Sequence, residues 1–177
     1  MGGAHPGLGT RNALLSLGDE RYLELIAPDP GQTVLTWFRG IETIPEPRLV
    51  GWAARTRDID ALAERLRAHR IGFSGPSSGS RVRADGVVLR WRTLTLDDDA
   101  AGVLPFFIEW SSETVHPSRD TPHGCVLDSF RVQGLDVAAL KARMDLLGLD
   151  PPVDSARTPG CTAIVRGVNG RRWELRG

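Results

Sequence analysis

The sequence predicts an α+β fold assembled from repeated β-α-β-β-β modules, and three observations carry the prediction. Two segments share one strand-to-helix layout, two hairpin dipeptides follow the helical stretches, and three short strands carry a carboxylate beside bulky apolar residues. A chain of 177 residues is long enough for one good-sized core or two small ones.

The N-terminal part reads as a hairpin. Gly9 to Ile26 gives a strand, a turn at Gly18-Asp19-Glu20 and a second strand, with no strand-helix unit before them, so the chain is expected to start partway through a module. A linker with four prolines, Pro28 to Arg48, leads to the first of the two similar segments, Leu49 to Gly72. There a short apolar run passes Arg55, reaches Asp60 and enters a helical pattern that ends at Gly72. Val126 to Gly148 repeats the plan through Arg131 and Asp136. Ile59, Leu62 and Leu66 in one, and Val137, Leu140, Met144 and Leu147 in the other, recur at steps of three and four, which makes one apolar stripe per helix. Asp60 and Asp136 suit the first helical turn, and the two closing glycines suit the stop.

Strands follow each helix. Asp85-Gly86 within Arg81 to Leu96, and Asn169-Gly170 within Ala163 to Leu175, tolerate the positive φ of a tight hairpin. Pro105 to Trp110 adds a third strand after the turn Asp97-Asp98-Asp99, and a polar linker, Ser112 to Gly124, separates it from the last module. The expected division is residues 1–48, a partial module; 49–111, a complete one; and 112–177, a β-α-β-β module, all within one domain.

Composition narrows the partners. Lys+Arg and Asp+Glu balance at 22 each, so there is no positive excess to track a phosphate backbone or an anionic bilayer, and nucleic acid and membranes are not expected partners. The first residues have neither the basic nor the apolar region of an export signal, and no apolar run approaches the ~18 residues of a membrane span, so a cytoplasmic protein is expected. Cys125 and Cys161 lack the paired spacing of zinc or thioredoxin-like sites and read as two buried, reduced thiols.

The candidate chemistry lies on strands. Glu24 in Tyr22-Leu23-Glu24-Leu25, Glu109 in Phe107-Ile108-Glu109-Trp110 and Glu174 beside Trp173 each sit among apolar residues. If Leu23 and Leu25 pack on a helix, Glu24 faces the other side of its sheet. If Phe106, Ile108 and Trp110 do so, Phe107 and Glu109 face away. Such a carboxylate is either a ligand in a cup or a solvated surface group. Arg90 and Arg92 share a face with Val88 and could clamp an anion by forked hydrogen bonds, or simply reach into water. Trp37, Phe38, Trp52, Phe107 and Trp110 serve as core or as a ligand platform, core being the commoner role. No nucleophile triad, phosphate loop or dinucleotide fingerprint occurs.

The stretch Gly2 to Leu15, GGAHPGLGTRNALL, followed by YLELIAP at Tyr22 to Pro28, resembles glyoxalase-like domain proteins of the vicinal oxygen chelate (glyoxalase/bleomycin resistance/dioxygenase) superfamily. Arg81 to Leu94, with its ADG turn and LRWRTL strand, and the PFFIEW segment share that resemblance, which spans nearly the whole chain. It implies curved mixed sheets with helices on the outer face, paired so that a cup forms. Many members hold a divalent metal there, with ligands from the first and last strands of each paired module. By position the last-strand ligands, and catalytic residues, would be Glu24 and Glu109, while Gly51-Trp52 occupies a first-strand place with no metal-binding side chain. A bound cofactor is therefore not expected, although a divalent metal recruited with a loop histidine (His5, His116 or His123) stays open. His5, Arg11, Asn12, Arg90, Arg92 and Phe107 are the candidate substrate-binding residues.

Three functions follow from this reading. One is a small-molecule binding protein with the ligand in the cup between paired modules. The second is a metal-dependent lyase, isomerase or dioxygenase. The third is assembly, with the incomplete N-terminal module completed by a second copy in a homodimer.

Overall fold

The structure, a computed structural model, describes residues 2–33, 40–83, 85–100 and 102–177. Trp37, Phe38 and the alanine of the ADG turn lie outside them. The fold is α+β: among the described residues eleven strands form curved mixed sheets, accompanied by two α-helices. The chain divides into two compact units, one of residues 1–47, 115–128 and 165–173, the other of 48–114, 129–164 and 174–177.

The first unit is built on a three-stranded antiparallel sheet of β1 (Ala4–His5), β2 (Thr10–Gly18) and β3 (Arg21–Pro28) in that order. The hairpin expected at Gly18-Asp19-Glu20 forms, with all three residues at positive φ (75°, 44° and 56°). β1 is too short to leave a periodic signal, yet it pairs with β2 through Ala4 opposite Arg11 and His5 opposite Thr10. The Leu23 and Leu25 face is not the buried one: Leu23 is half-buried and Leu25 lies in the open. Leu25 is 54% exposed, whereas Thr10, Leu14 and Ser16 are buried. Leu14 sits directly opposite Glu24, so the Glu24 face of the sheet is the covered one.

The second unit holds the main core. β4 (Ala53–Arg55), α1 (Ile59–Ala68), β5 (Phe73–Val82), β6 (Val88–Leu96) and β7 (Phe106–Trp110) give the expected β-α-β-β-β module. Their sheet order is β4-β7-β6-β5, with β4 parallel to β7. β5 begins eight residues earlier than Arg81 because the Gly-, Pro- and Ser-rich stretch Phe73 to Ser80 is recruited into the hairpin, with a register shift between Ser74 and Ser77. In the second segment β8 (Cys125–Gly134) leads through α2 (Val137–Leu147) to β9 (Val153–Ser155), β10 (Gly160–Gly167) and β11 (Arg172–Arg176). That sheet has the order β11-β10-β8-β9, with β8 parallel to β9. The two similar segments thus differ in topology: the first strand pairs with the last in one and with the strand directly after the helix in the other.

Their caps differ as well. Asp58 is the N-cap of α1, its carboxylate accepting from Ala61 N at 2.9 Å, with Asp60 in the first turn as expected; Asp136 is itself the N-cap of α2, accepting from Ala139 N at 2.9 Å. α2 ends on Gly148 at φ 74°, but α1 stops at His69 and turns on Arg70 at φ 57°, two residues before Gly72. The last turn of α2 has no basic residue of its own, and Arg65 from α1 reaches its carbonyl end, donating to Leu147 O at 3.1 Å. Replacing Asp58 by Ala should cost about 0.5–2 kcal/mol in chemical denaturation, and Asp60→Ala should leave the cap intact. Equal losses in the two variants would remove Asp58 from the cap.

Both helices bury their predicted stripes except at Val137, which is half-buried. Ile59, Leu62 and Leu66 of α1 and Leu140, Met144 and Leu147 of α2 join Leu94, Leu96, Phe107 and Val132 in one cluster. Trp52 packs on Phe130 with ring centroids 4.8 Å apart and donates to Val103 O at 2.8 Å, so it is held by the core side of the unit. Both cysteines are free thiols; Cys161 is buried as expected, which pushes its thiol pKa up, but Cys125 is only half-buried. Among the described residues no helix is long and apolar enough to cross a membrane.

Candidate functional site

In the first unit the strand register brings three of the predicted residues together. Asn12 and Glu24 lie on one face of the β2-β3 ladder, since Asn12 is opposite Ile26 and Leu14 opposite Glu24. Asn12 Nδ2 donates to Glu24 Oε1 at 2.6 Å, and Asn12 Oδ1 accepts from Gly3 N at 2.9 Å, which fixes the amide and ties it to the N-terminal segment. His5 comes in on β1: its Nδ1 is 2.8 Å from Thr10 Oγ1 and its Nε2 3.7 Å from Glu24 Oε1. The loop between β1 and β2 is braced by Gln32, whose Oε1 accepts from Gly7 N at 2.9 Å and Gly9 N at 3.3 Å. Glu24 Oε2 has no protein partner among the described residues, and the Glu24 side chain is 29% exposed, so this oxygen can accept from a ligand. Arg11 does not join them. Successive strand residues point to opposite faces, and Arg11 lies on the exposed one.

His5 and Glu24 offer one nitrogen and one oxygen at a spacing close to the ~3.4 Å of two tetrahedral zinc ligands. A catalytic zinc takes about three protein ligands. Among the described residues no group of three or more His, Cys, Asp or Glu side chains converges, so this pair alone does not make a complete donor set. His116, which is buried, is turned to Ser118 Oγ at 2.9 Å and packs against Tyr22, while His123 is exposed on its loop.

In the second unit the predicted residues fall on a different face from the one expected. Phe107 is opposite Leu94 and Glu109 opposite Arg92, and Leu94 and Phe107 both belong to the cluster around α1. Phe107 and Glu109 therefore occupy the helix side of the sheet. Phe107 is 2% exposed and belongs to the core, not to a ligand face. Strand alternation turns every side chain over when the buried set is misassigned by one residue, and PFFIEW is apolar on both sides except at Glu109.

Glu109 sits at the start of α1, with Oε1 accepting from Ile59 N at 3.1 Å and Oε2 3.4 Å from Arg92 Nη1. Arg92 forms a fork with Asp60, at 2.8 and 2.6 Å. The hydrogen bond from Arg92 holds the exposed Asp60 carboxyl below the usual carboxylate range, and Asp60 in turn raises the Arg92 pKa. Glu109 is thus engaged by a backbone N–H and a guanidinium. Arg90 lies two residues away on the same face, exposed, and Trp91 and Trp110 pair on the other face with centroids 5.5 Å apart. Ser78, Ser80 and Ser111 complete the surroundings of Arg90 and Arg92. No motif marks these serines; the signal available in the sequence was Ser-x-Ser at residues 78–80 facing Arg-x-Arg at 90–92 across a hairpin.

The model of a family described as a glyoxalase-like domain matches residues 1–148. No match is found among curated proteins. Among solved structures, the crystal structure of a hypothetical protein from Staphylococcus aureus is similar with a TM-score of 0.69 at 15% identity, over 98% of this chain and 87% of that one, which shows a shared fold.

Proposed function

The chain belongs to the glyoxalase-like domain family, and from that premise we propose that it binds a small polar molecule at the His5-Asn12-Glu24 face of its first unit. The observation that carries the reading is the Glu24 carboxylate. One oxygen is fixed by Asn12 at 2.6 Å, and the other has no protein partner among the described residues on a partly covered sheet face. A fixed carboxylate with a spare oxygen favours a ligand that presents a hydroxyl or an amine, and the hydrogen bond to a charged acceptor is of the stronger kind. His5, held at Nδ1 by Thr10, adds an imidazole edge whose Nε2 is 3.7 Å from the oxygen that Asn12 fixes.

The second reading is a metal-dependent lyase, isomerase or dioxygenase. It is favoured by the His5 Nε2 to Glu24 Oε1 distance of 3.7 Å, and what weighs against it is the incomplete donor set. A metal there would act as a Lewis acid on substrate oxygens.

Metal analysis of protein purified without added metal, followed by thermal shifts across divalent cations and a panel of small polyols and amines, separates the two. A metal content far below one per chain is expected, with a saturable shift from a hydroxyl- or amine-bearing compound that weakens about tenfold or more in Glu24→Gln. Stoichiometric metal retained through dialysis and lost in Glu24→Gln or His5→Ala would overturn the binding-protein reading in favour of the metal enzyme.

A further inference from the structure

The helix side of the β4-β7-β6-β5 sheet is longer than the helix that covers it. Ten-residue α1 is about 15 Å long, while nine-residue β6 runs for about 30 Å. β6 is written to match. Leu94 and Leu96, under the helix, are 0% and 4% exposed, and Arg92 and Arg90 continue the same face past the helix start. Register sets Ser78 opposite Arg92, Ser80 opposite Arg90 and Glu109 opposite Arg92, and Ser111 N donates to Arg90 O at 3.0 Å. These residues line a concavity of about 350 Å³, at the small end of the ~300–1,000 Å³ of ligand pockets. On the opposite face Gly79 leaves room for Trp91, since a Cβ there would stand 2.5 Å from Trp91 Nε1.

The two arginines of the concavity are not equivalent. Arg92 is committed to Asp60 and Glu109, and Glu109 to Ile59 N. The Arg90 guanidinium has no hydrogen bond or ion pair among the described residues, and the Ser78 and Ser80 hydroxyls beside it are likewise unengaged. The lining carries two guanidiniums against one carboxylate, with Asp60 outside it holding Arg92. We infer that this concavity binds a small molecule through an oxyanion, a carboxylate or a phosphate, gripped by Arg90 and by the hydroxyls of Ser78 and Ser80. A guanidinium fork matches the two oxygens of either group, and an oxyanion supplies the negative charge that Arg90 lacks. The site lies wholly within the second unit and does not rest on the Glu24 reading.

The test is calorimetric titration of the full chain with inorganic phosphate and with succinate, against chloride at constant ionic strength. One of the two oxyanions should bind saturably at one site, and the preferred one tells phosphate from carboxylate ligands. Arg90→Ala should weaken it about tenfold or more, since one charge-assisted contact is lost, and Arg90→Lys by less. Arg131→Ala, which removes an exposed arginine paired with Asp154, serves as the charge control and should bind as the parent does. Circular dichroism confirms that each variant is folded. No saturable binding of either oxyanion, or equal weakening in Arg90→Ala and Arg131→Ala, overturns the inference.

Discussion

Replacing Phe107 by Ala is expected to destabilise the protein by about 3–5 kcal/mol, in the range of aromatic truncations inside a core. Phe107 is 2% exposed, and its direct cross-strand neighbour Leu94 is fully buried. Both belong to the cluster formed with Ile59, Leu62 and Leu66 of α1, so the space left by the ring is walled by a helix and a sheet that cannot both close on it. Phe107→Leu keeps much of the volume and should cost less, about 1–1.5 kcal/mol. Urea denaturation reads both. If Phe107 instead lined a ligand face, Phe107→Ala would leave the midpoint nearly unchanged and appear only in binding.

That residue marks where the sequence stops being legible. The helices and hairpins were readable because their signals are local: apolar steps of three and four, a carboxylate at a helix start, Asp85-Gly86 and Asn169-Gly170 at the turns. Which face of PFFIEW is buried is not local. It is decided by the Leu94-Phe107 pair, which joins two strands thirteen positions apart, and alternation then carries Glu109 to the helix start with it. The strand partners of the two similar segments are equally non-local, so a shared pattern concealed parallel pairing of β4 with β7 in one and of β8 with β9 in the other. The front half of β5 was hidden by its glycines, proline and serines, which read as loop.

The candidate site shows the same division. His5, Asn12 and Glu24 could each be named from residue type and position, but their meeting depends on β1, a two-residue strand with no period to detect. Arg11 could have been separated from Asn12 by strand alternation alone, given a strand over Thr10 to Gly18. In the second unit the meaning of the paired Ser-x-Ser and Arg-x-Arg depends on where α1 ends the apolar part of the sheet face, which no local signal gives. Residue types recorded what each strand position faces, and only the pairing supplied the assignment of faces.

Leu66→Ala should cost about 2–5 kcal/mol, and the position within that range follows from how well the site can collapse. Leu66 is 0% exposed in the last turn of α1. The residues around that turn are tied in place: Ile71 N donates to Leu66 O at 2.9 Å, and Arg65 bridges to Leu147 O at 3.1 Å at the end of α2. A backbone pinned on both sides of the missing side chain relaxes little, which favours the upper half of the range. Leu62, 3% exposed and one turn nearer the helix start, lacks both of these direct ties, so Leu62→Ala should lose less than Leu66→Ala. Chemical denaturation of the two variants side by side decides the matter. A near-zero change in Leu66→Ala would remove Leu66 from the core, and a larger loss in Leu62→Ala would show that the pinned helix end is not what limits relaxation.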